Sequence, residues 1–474
     1  MMSQQVKEAI HSAWRAVGIL ETVRSLKHPV TARTKTQLDR QPTHSHPSSS
    51  CHAARRASAA YNLFCALPLS LSEDVTVIVP TTFKSETELT KCLQSVTACS
   101  PAAVLVVTAK ANVSLIEHIC SLKSFKRVRV LDVDKLNKRR QMIRALKEVE
   151  TDIIVFADDD VLWPEQYLDY LLAIFEDPKT GAGGTRQRVS RNHSFLTSIW
   201  NFLGIAYLER RVWNNIATNA IDGSLSTLSG RTAAYKTEIL KSEEFFHYFL
   251  NDHWRGRPLN TDDDKCLTRY VYSHGWSIAI QCDSRSVIET NMEDSPKYIA
   301  QCLRWARAHW RGNLTVMENE RYWFTSMYWG LYVIYIGQFQ TPAALVDGSI
   351  FALLYTSLSA YEESRIAACE CLALWVFLVK VLKLLPHFFQ HPQDMIYIPA
   401  SIVFSYLHGI INIYALLTLT KTHWGSQDLD QLQHARATRT EVVPLLRRAM
   451  QETEAYHEPT FSKLRHSWFV SEPC

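Results

Sequence analysis

Residues Asp152 to Asp160 read Asp-Ile-Ile-Val-Phe-Ala-Asp-Asp-Asp. The five apolar residues are too few for a stable helix and rich in β-branched and aromatic types, which is the signature of a buried strand. The run stops abruptly in three carboxylates. In an open α/β sheet, ligands gather just beyond the carboxyl ends of the strands, so this junction is both a strand boundary and a candidate site.

Outward from this point the same texture repeats. VTVIVP from Val75, AAVLVV from Ala102 and RVRVLDV from Arg127 are short apolar or alternating runs. The amphipathic stretch TELTKCLQSV from Thr87 lies between the first two. Strands alternating with helical pieces predict βαβ units and a mainly parallel sheet. The fold class expected is therefore α/β, with chemistry at one edge.

Three carboxylates crowded at a strand end repel one another unless a cation joins them. Hard oxygen ligands suit Mg2+ or Mn2+, with Asp158 and Asp160 as an Asp-x-Asp metal pair and Asp158 also facing a nucleotide diphosphate. A solvated turn is the plain alternative. A second acidic group, Asp262, Asp263 and Asp264, precedes an amphipathic pattern. Capping of the helix start accounts for such residues; so does a general base that takes the proton of an attacking hydroxyl. Gln301, Arg304 and Trp305 are spaced to share one helical face. There an Arg can clamp a diphosphate and an indole can support a sugar ring; an interfacial helix beside a membrane would have the same composition. Lys138 and Arg139, with Arg140, form a basic group after RVRVLDV, fitted to phosphate or simply solvated.

The chain has 474 residues, 47% of them hydrophobic, which excludes global disorder. A net charge of +4, from 51 basic and 47 acidic residues, lacks the concentrated basic surface of a nucleic-acid binder, so no nucleic-acid partner is expected. Eleven cysteines without a CxxC pair suit reduced thiols. Residues 1–72 read as a low-complexity leader with a weak anchor at most. Residues 73–318 are expected to form the catalytic domain, 319–422 transmembrane and interfacial helices, and 423–474 a cytosolic tail. Within the third segment, Tyr322 to Val346 and Met395 to Thr420 carry no charged residue and are each long enough to cross a bilayer core of about 30 Å.

VTVIVPTTF, NKRRQ from Asn137, FADDDVLWP, SGRTAAYK from Ser229, TDDDKCLTR, QCLRW and HWGS from His423, in this order and with apolar segments at the C-terminal end, resemble the family 2 glycosyltransferases. The likeness is to the hyaluronan-synthase-like group, including the fungal capsular-polysaccharide-synthase-like enzymes. The resemblance implies a Rossmann-like GT-A catalytic domain, a nucleotide-sugar donor, a growing polysaccharide as acceptor, and a multi-pass protein in the lipid bilayer. It also implies Mn2+ or Mg2+ as cofactor and inversion at the anomeric carbon. The base maps to Asp264 and the metal pair to Asp158 and Asp160. Gln301, Arg304 and Trp305 lie beside donor and acceptor, and Trp424 lies near the polymer exit. The plasma membrane is the expected location, with Golgi or endoplasmic reticulum as alternatives. Single sugar addition to a lipid, or a catalytically silent scaffold, are the competing functions.

Overall fold

The computed structural model describes residues 74–191, 196–359 and 362–422. The expected leader, and the tail with Trp424, lie outside the described residues.

The four apolar runs become β1 (Val75–Pro80), β2 (Ala103–Ala109), β3 (Val128–Val133) and β4 (Ile153–Ala157). They alternate with α1 (Glu86–Ala98), α2 (Val113–Leu122) and α3 (Lys138–Leu146). Ser85 caps α1 by accepting from the Glu88 amide, and Asn137 caps α3 by accepting from the Arg140 amide. Each cap satisfies a backbone donor left free at the helix start. After β4 come α4 (Tyr167–Leu172), β5 (Thr180–Thr185), β6 (Gln187–Val189) and the long α5 (Ile199–Asp222), which ends on Gly223 in the left-handed conformation. The chain then forms β7 (Thr232–Lys236), α6 (Glu243–Leu250), the hairpin β8 (His253–Trp254) and β9 (Arg257–Pro258), α7 (Asp263–Ser273), β10 (Ser277–Gln281), β11 (Ile288–Thr290) and α8 (Tyr298–Asn319).

Seven strands make one sheet in the order β10-β5-β7-β4-β1-β2-β3. All neighbours are parallel except β7, which runs antiparallel to both β4 and β5. Because β7 is reversed, its first residues lie at the edge where β1 and β4 end. One face of the sheet packs against α3, α6 and α7, the other against α1, α2 and α4. β1 and β4 are buried along their whole length, as strands covered on both faces must be. This is the α/β architecture the sequence predicts.

The C-terminal part differs from expectation in one respect. Tyr322 to Val346 does not form one long helix: it breaks into turns at Tyr322–Thr325 and Tyr328–Gly330, a π-helical turn Leu331–Ile336 and a 3-10 turn Gly337–Gln340. Pro342 then precedes α9 (Ala343–Ser357). Absence of charge measures transfer to an apolar phase, not helical continuity, and Gly330, Gly337 and Pro342 interrupt the ladder. The broken segment is bound to the α/β domain. Asp222 accepts from the amides of Trp329 and Gly330, and Gln338 accepts from Asn313. After α10 (Glu362–Leu382) and α11 (Leu385–Gln390), the chain forms α12 (Ile398–Leu417).

The second uncharged stretch is helical over most of its length. Pro392–Leu417, which contains α12, is long and apolar enough to cross a membrane, and it is the one such helix among the described residues. One side of α12, with Phe404, Ile411 and Ala415, packs in a cluster with residues of α5 and α8. Val403, Ile410 and Leu417 on its other side are exposed.

Candidate active site

The ends of β1 and β4, the start of β7, the start of α7 and one face of α8 converge on one cavity of about 1240 Å3. Asp158, Asp160, Asp264, Lys138, Gln301, Arg304 and Trp305 all line it. The sequence placed these seven side chains together from four separate stretches.

At the sheet end, Asp158 is the first residue after β4, and its amide donates to the Arg231 carbonyl just before β7. Lys138, the first residue of α3, donates to Asp158 Oδ1 at 2.7 Å and stands 3.2 Å from Asp263 Oδ2. It therefore bridges the two acidic groups. Burial opposes its charge, but the surrounding carboxylates hold the Lys138 ammonium well above its ordinary range. Asp263 responds in kind: burial works against ionisation, and the charges of Lys138 and Arg139 nevertheless keep its carboxyl below the usual value. Thr81, just past the end of β1, donates to Asp159, the middle carboxylate of the three.

Asp160 has less compensation. Burial, then the neighbouring Asp158 and Asp159, push its carboxyl up to about 7. Asp158 is likewise raised, by burial first, against the pull of Lys138. Two cavity-facing carboxylates whose ionisation is opposed in this way are the donor set a hard divalent cation satisfies. Among the described residues no group of three or more His, Cys, Asp or Glu side chains forms a closed metal cage. An Asp158–Asp160 pair fits a metal that fills its remaining positions with phosphate and water, as Mg2+-type sites do.

Asp264 is the second residue of α7. Burial, then Asp263, raise its carboxyl, which strengthens it as a proton acceptor once ionised. Gly230 lies against it: a Cβ there would meet Asp264 Cβ at 3.3 Å and Lys138 Nζ at 3.6 Å. The absence of a side chain at 230 keeps the gap between Asp264 and Lys138 open.

Asp262 does not cap α7. It takes a left-handed backbone, φ 65°, and its side chain makes no capping bond; it receives a two-pronged bond from buried Arg311 of α8 instead. Arg139 is also placed differently from expectation. It is not among the cavity residues but is buried, donating to Asp252 and to the carbonyls of Phe249 and Thr261. One residue along a helix is a 100° turn, so Lys138 reaches the cavity while Arg139 points into the protein. Arg139 thus fixes the loop before the acidic residues rather than lining the site.

Trp305 stacks on Tyr207 of α5, ring centroids 5.3 Å apart, and the Arg231 guanidinium stands 5.5 Å from its ring. Burial, then Arg211, pull the Arg231 guanidinium below its ordinary range, against the opposing pull of Asp158 and Asp160. Deeper in, Lys265 donates to Ser226 Oγ at 3.0 Å, and burial brings its ammonium down to about 8. Arg231 was legible within the quoted SGRTAAYK stretch and Lys265 within TDDDKCLTR; Tyr207 carried no sequence signal, because no motif marks α5.

The far end of the cavity is made by α12. Ser405, His408 and Asn412 line it, spaced so that they share one face of that helix. The Asn412 amide pairs with His408 at 2.8 Å. The cavity therefore runs from the carboxylates at β4 to a polar stripe on α12, the one helix among the described residues long and apolar enough to cross a membrane.

The sequence pattern described as Glycosyltransferase like family 2 matches residues 73–308. A type 2 glycosyltransferase from Gibberella zeae is 42% identical over 364 residues, covering 76% of this chain and 69% of that protein. A hyaluronan synthase from Streptococcus pyogenes is 21% identical over 307 residues, 61% of this chain and 66% of that protein. Among solved structures, the mannosyltransferase PcManGT from Pyrobaculum calidifontis in complex with GDP-Man and Mn2+ superposes with a TM-score of 0.47 at 17% identity, over 80% of this chain and 97% of that one.

Proposed function

The chain belongs to the family 2 glycosyltransferases, and from that premise we propose that it is a membrane-embedded, inverting enzyme that adds sugars from a nucleotide-sugar donor to a growing polysaccharide. The observation that carries this reading is the continuity of the cavity. A donor pole of carboxylates and cations opens directly onto Ser405, His408 and Asn412 of α12. Neutral hydrogen-bonding groups on a helix of that apolarity are costly in lipid and suit a hydroxyl-rich chain.

In this reading Asp158 and Asp160 hold a divalent cation, Mn2+ or Mg2+. When bound, the cation neutralises charge on the diphosphate leaving group. Lys138 and Arg304 supply further positive charge towards the phosphates, while Gln301 and Trp305 orient donor and acceptor across the α8 face. Asp264 takes the proton from the acceptor hydroxyl as it attacks the anomeric carbon from the side opposite the leaving group, which inverts that centre. The proposed location is the plasma membrane, with the catalytic domain in the cytosol; Golgi or endoplasmic reticulum are the alternatives.

The test is release of nucleoside diphosphate by the full chain in nanodiscs from a panel of UDP and GDP sugars, with Mn2+ or with EDTA, beside Asp264→Asn. Metal-dependent turnover of one donor, falling about 10²–10⁴-fold in the variant, is expected. Products that lengthen with time support the polymer; a single-sugar glycolipid replaces it with the lipid acceptor. No turnover of any donor by the wild type overturns the reading.

A further inference from the structure

Arg311 stands where three parts of the protein meet. It is 2% exposed. Its Nε and one terminal nitrogen donate to both oxygens of Asp262, at 2.9 and 3.1 Å, and that nitrogen also reaches Thr261 Oγ1 at 3.4 Å. The other terminal nitrogen donates to the carbonyls of Leu419 and Lys421, just past α12, at 3.4 and 3.3 Å. One helical turn earlier, Arg307 donates to Thr418 Oγ1 at 3.0 Å. Two arginines of α8 thus grip the chain leaving the apolar helix, and one of them also grips the loop that delivers Asp263 and Asp264.

The loop needs holding. Asp262 has φ 65° and ψ 29°, a left-handed conformation that is strained for a residue with a side chain. The carboxylate is 4% exposed and pairs with Arg311; a buried charge stripped of its partner is strongly unfavourable. The planar fork of an arginine satisfies both oxygens at once and fixes their orientation, which a lysine cannot do. The next two residues along the chain are the anion that pairs with Lys138 and the base.

We propose that Arg311 is a positioning residue: through its two-pronged pair with Asp262 it sets the orientation of Asp263 and Asp264, and through Leu419 and Lys421 it ties that orientation to the seat of the chain end of α12. This rests on the reading of Asp264 as the base of a sugar transfer. A small shift of the α12 end then displaces the base without any contact to substrate, which is the route by which lipid environment would reach the chemistry.

The test uses the full chain in nanodiscs and two readouts. In turnover assays with the accepted donor, Arg311→Gln lowers kcat about tenfold to a hundredfold while the donor KM stays within about threefold, since only alignment is lost. Arg311→Lys does not restore it. Asp262→Gly accepts the left-handed backbone without strain, so Asp262→Gly/Arg311→Gln recovers most of the lost kcat. In amide hydrogen exchange, which needs no turnover, Arg311→Gln increases exchange in peptides covering 258–266 and 414–422 together, and the added glycine re-protects the first peptide only. An unchanged kcat in Arg311→Gln, or a double variant no better than the single one, overturns the proposal. So does unchanged exchange in either peptide. If Arg311→Gln does not accumulate as folded protein, Arg311→Lys, which keeps the buried charge but not the fork, decides: a lower kcat with faster exchange in both peptides supports the proposal, and wild-type behaviour refutes it. A wild type that turns over no donor removes the transferase reading but leaves the exchange experiment to decide whether Arg311 links the two segments.

Discussion

Lys265 crosses α8 directly over Gly312, so closely that a Cβ at position 312 would lie 2.2 Å from Lys265 Cδ. The lysine cannot swing aside freely, because its ammonium is held by Ser226 and Asn313. Gly312→Ala gains about 1 kcal/mol of helix propensity and loses about 1–3 kcal/mol to overpacking. The expected outcome is a net loss of stability, read from chemical denaturation. In a Lys265→Ala background the obstacle is gone, and the same alanine is expected to stabilise; a penalty that persists there refutes the steric account.

Lys265 also predicts a pH dependence. Burial lowers its folded-state pKa to about 8, against 10.5 for the unperturbed group. Between these values the unfolded chain holds a proton that the folded chain has released, so this group makes stability rise with pH from about 8 to 10.5. The slope is at most about 1.4 kcal/mol per unit. Below pH 8 both states are protonated and the penalty for the buried charge is constant. Measured as the difference between wild type and Lys265→Met, the relative stability of the wild type is expected to improve between pH 7.5 and 9.5. A flat difference would show that the ammonium is not penalised by burial.

Lys138 occupies the place between Asp158 and Asp263 where positive charge is most needed. Removing it leaves the carboxylates to any cation supplied. Lys138→Ala is expected to bind Mn2+ more tightly than wild type when no donor is present, giving a larger Mn2+-induced rise in Tm. Its kcat/KM for the donor is expected to fall about tenfold or more, through lost phosphate contact. A smaller thermal response to Mn2+ would mean that the lysine organises the metal carboxylates rather than competing at them.

Ile410 on α12 is 63% exposed. If lipid covers that face, Ile410→Arg costs about 2.5–3.5 kcal/mol of membrane insertion at mid-helix, and the protein shifts to the carbonate-extractable fraction. On a water-facing helix the same change would improve solubility and leave fractionation unaltered. Asn412→Leu, on the cavity side, is expected to leave membrane retention intact and reduce activity.

The sheet was legible because its strands are short and rich in β-branched residues: VTVIVP, AAVLVV, RVRVLDV and IIVFA became β1 to β4. The two acidic groups and Lys138 meet in the cavity because each stands just past a strand or at a helix start, and Gln301, Arg304 and Trp305 join them because they share one face of α8. Other features were hidden for identifiable reasons. Arg139 has the same charge as Lys138, and only helical geometry separates the two. The left-handed backbone of Asp262 depends on Arg311, 49 residues later, so no local pattern announces it. Tyr322 to Val346 carries the composition of a span, yet Asp222 and Asn313 draw it onto the catalytic domain.

The reversal of β7 bears on how this protein can change in length. Loops that follow parallel strands lead away from the sheet, and added residues there can bulge into solvent. Gly230 and Arg231 instead lead into a strand whose register is fixed on both sides, with Thr232 opposite Ala157 and Tyr235 opposite Ala182. One residue inserted between Gly230 and Thr232 must either slip the strand, exchanging its two faces, or push the turn into the gap beside Asp264. Deletions are barred for the same reason. The turn before β7 is thus a point of fixed length, where a substitution can retune the site but an insertion or deletion closes it.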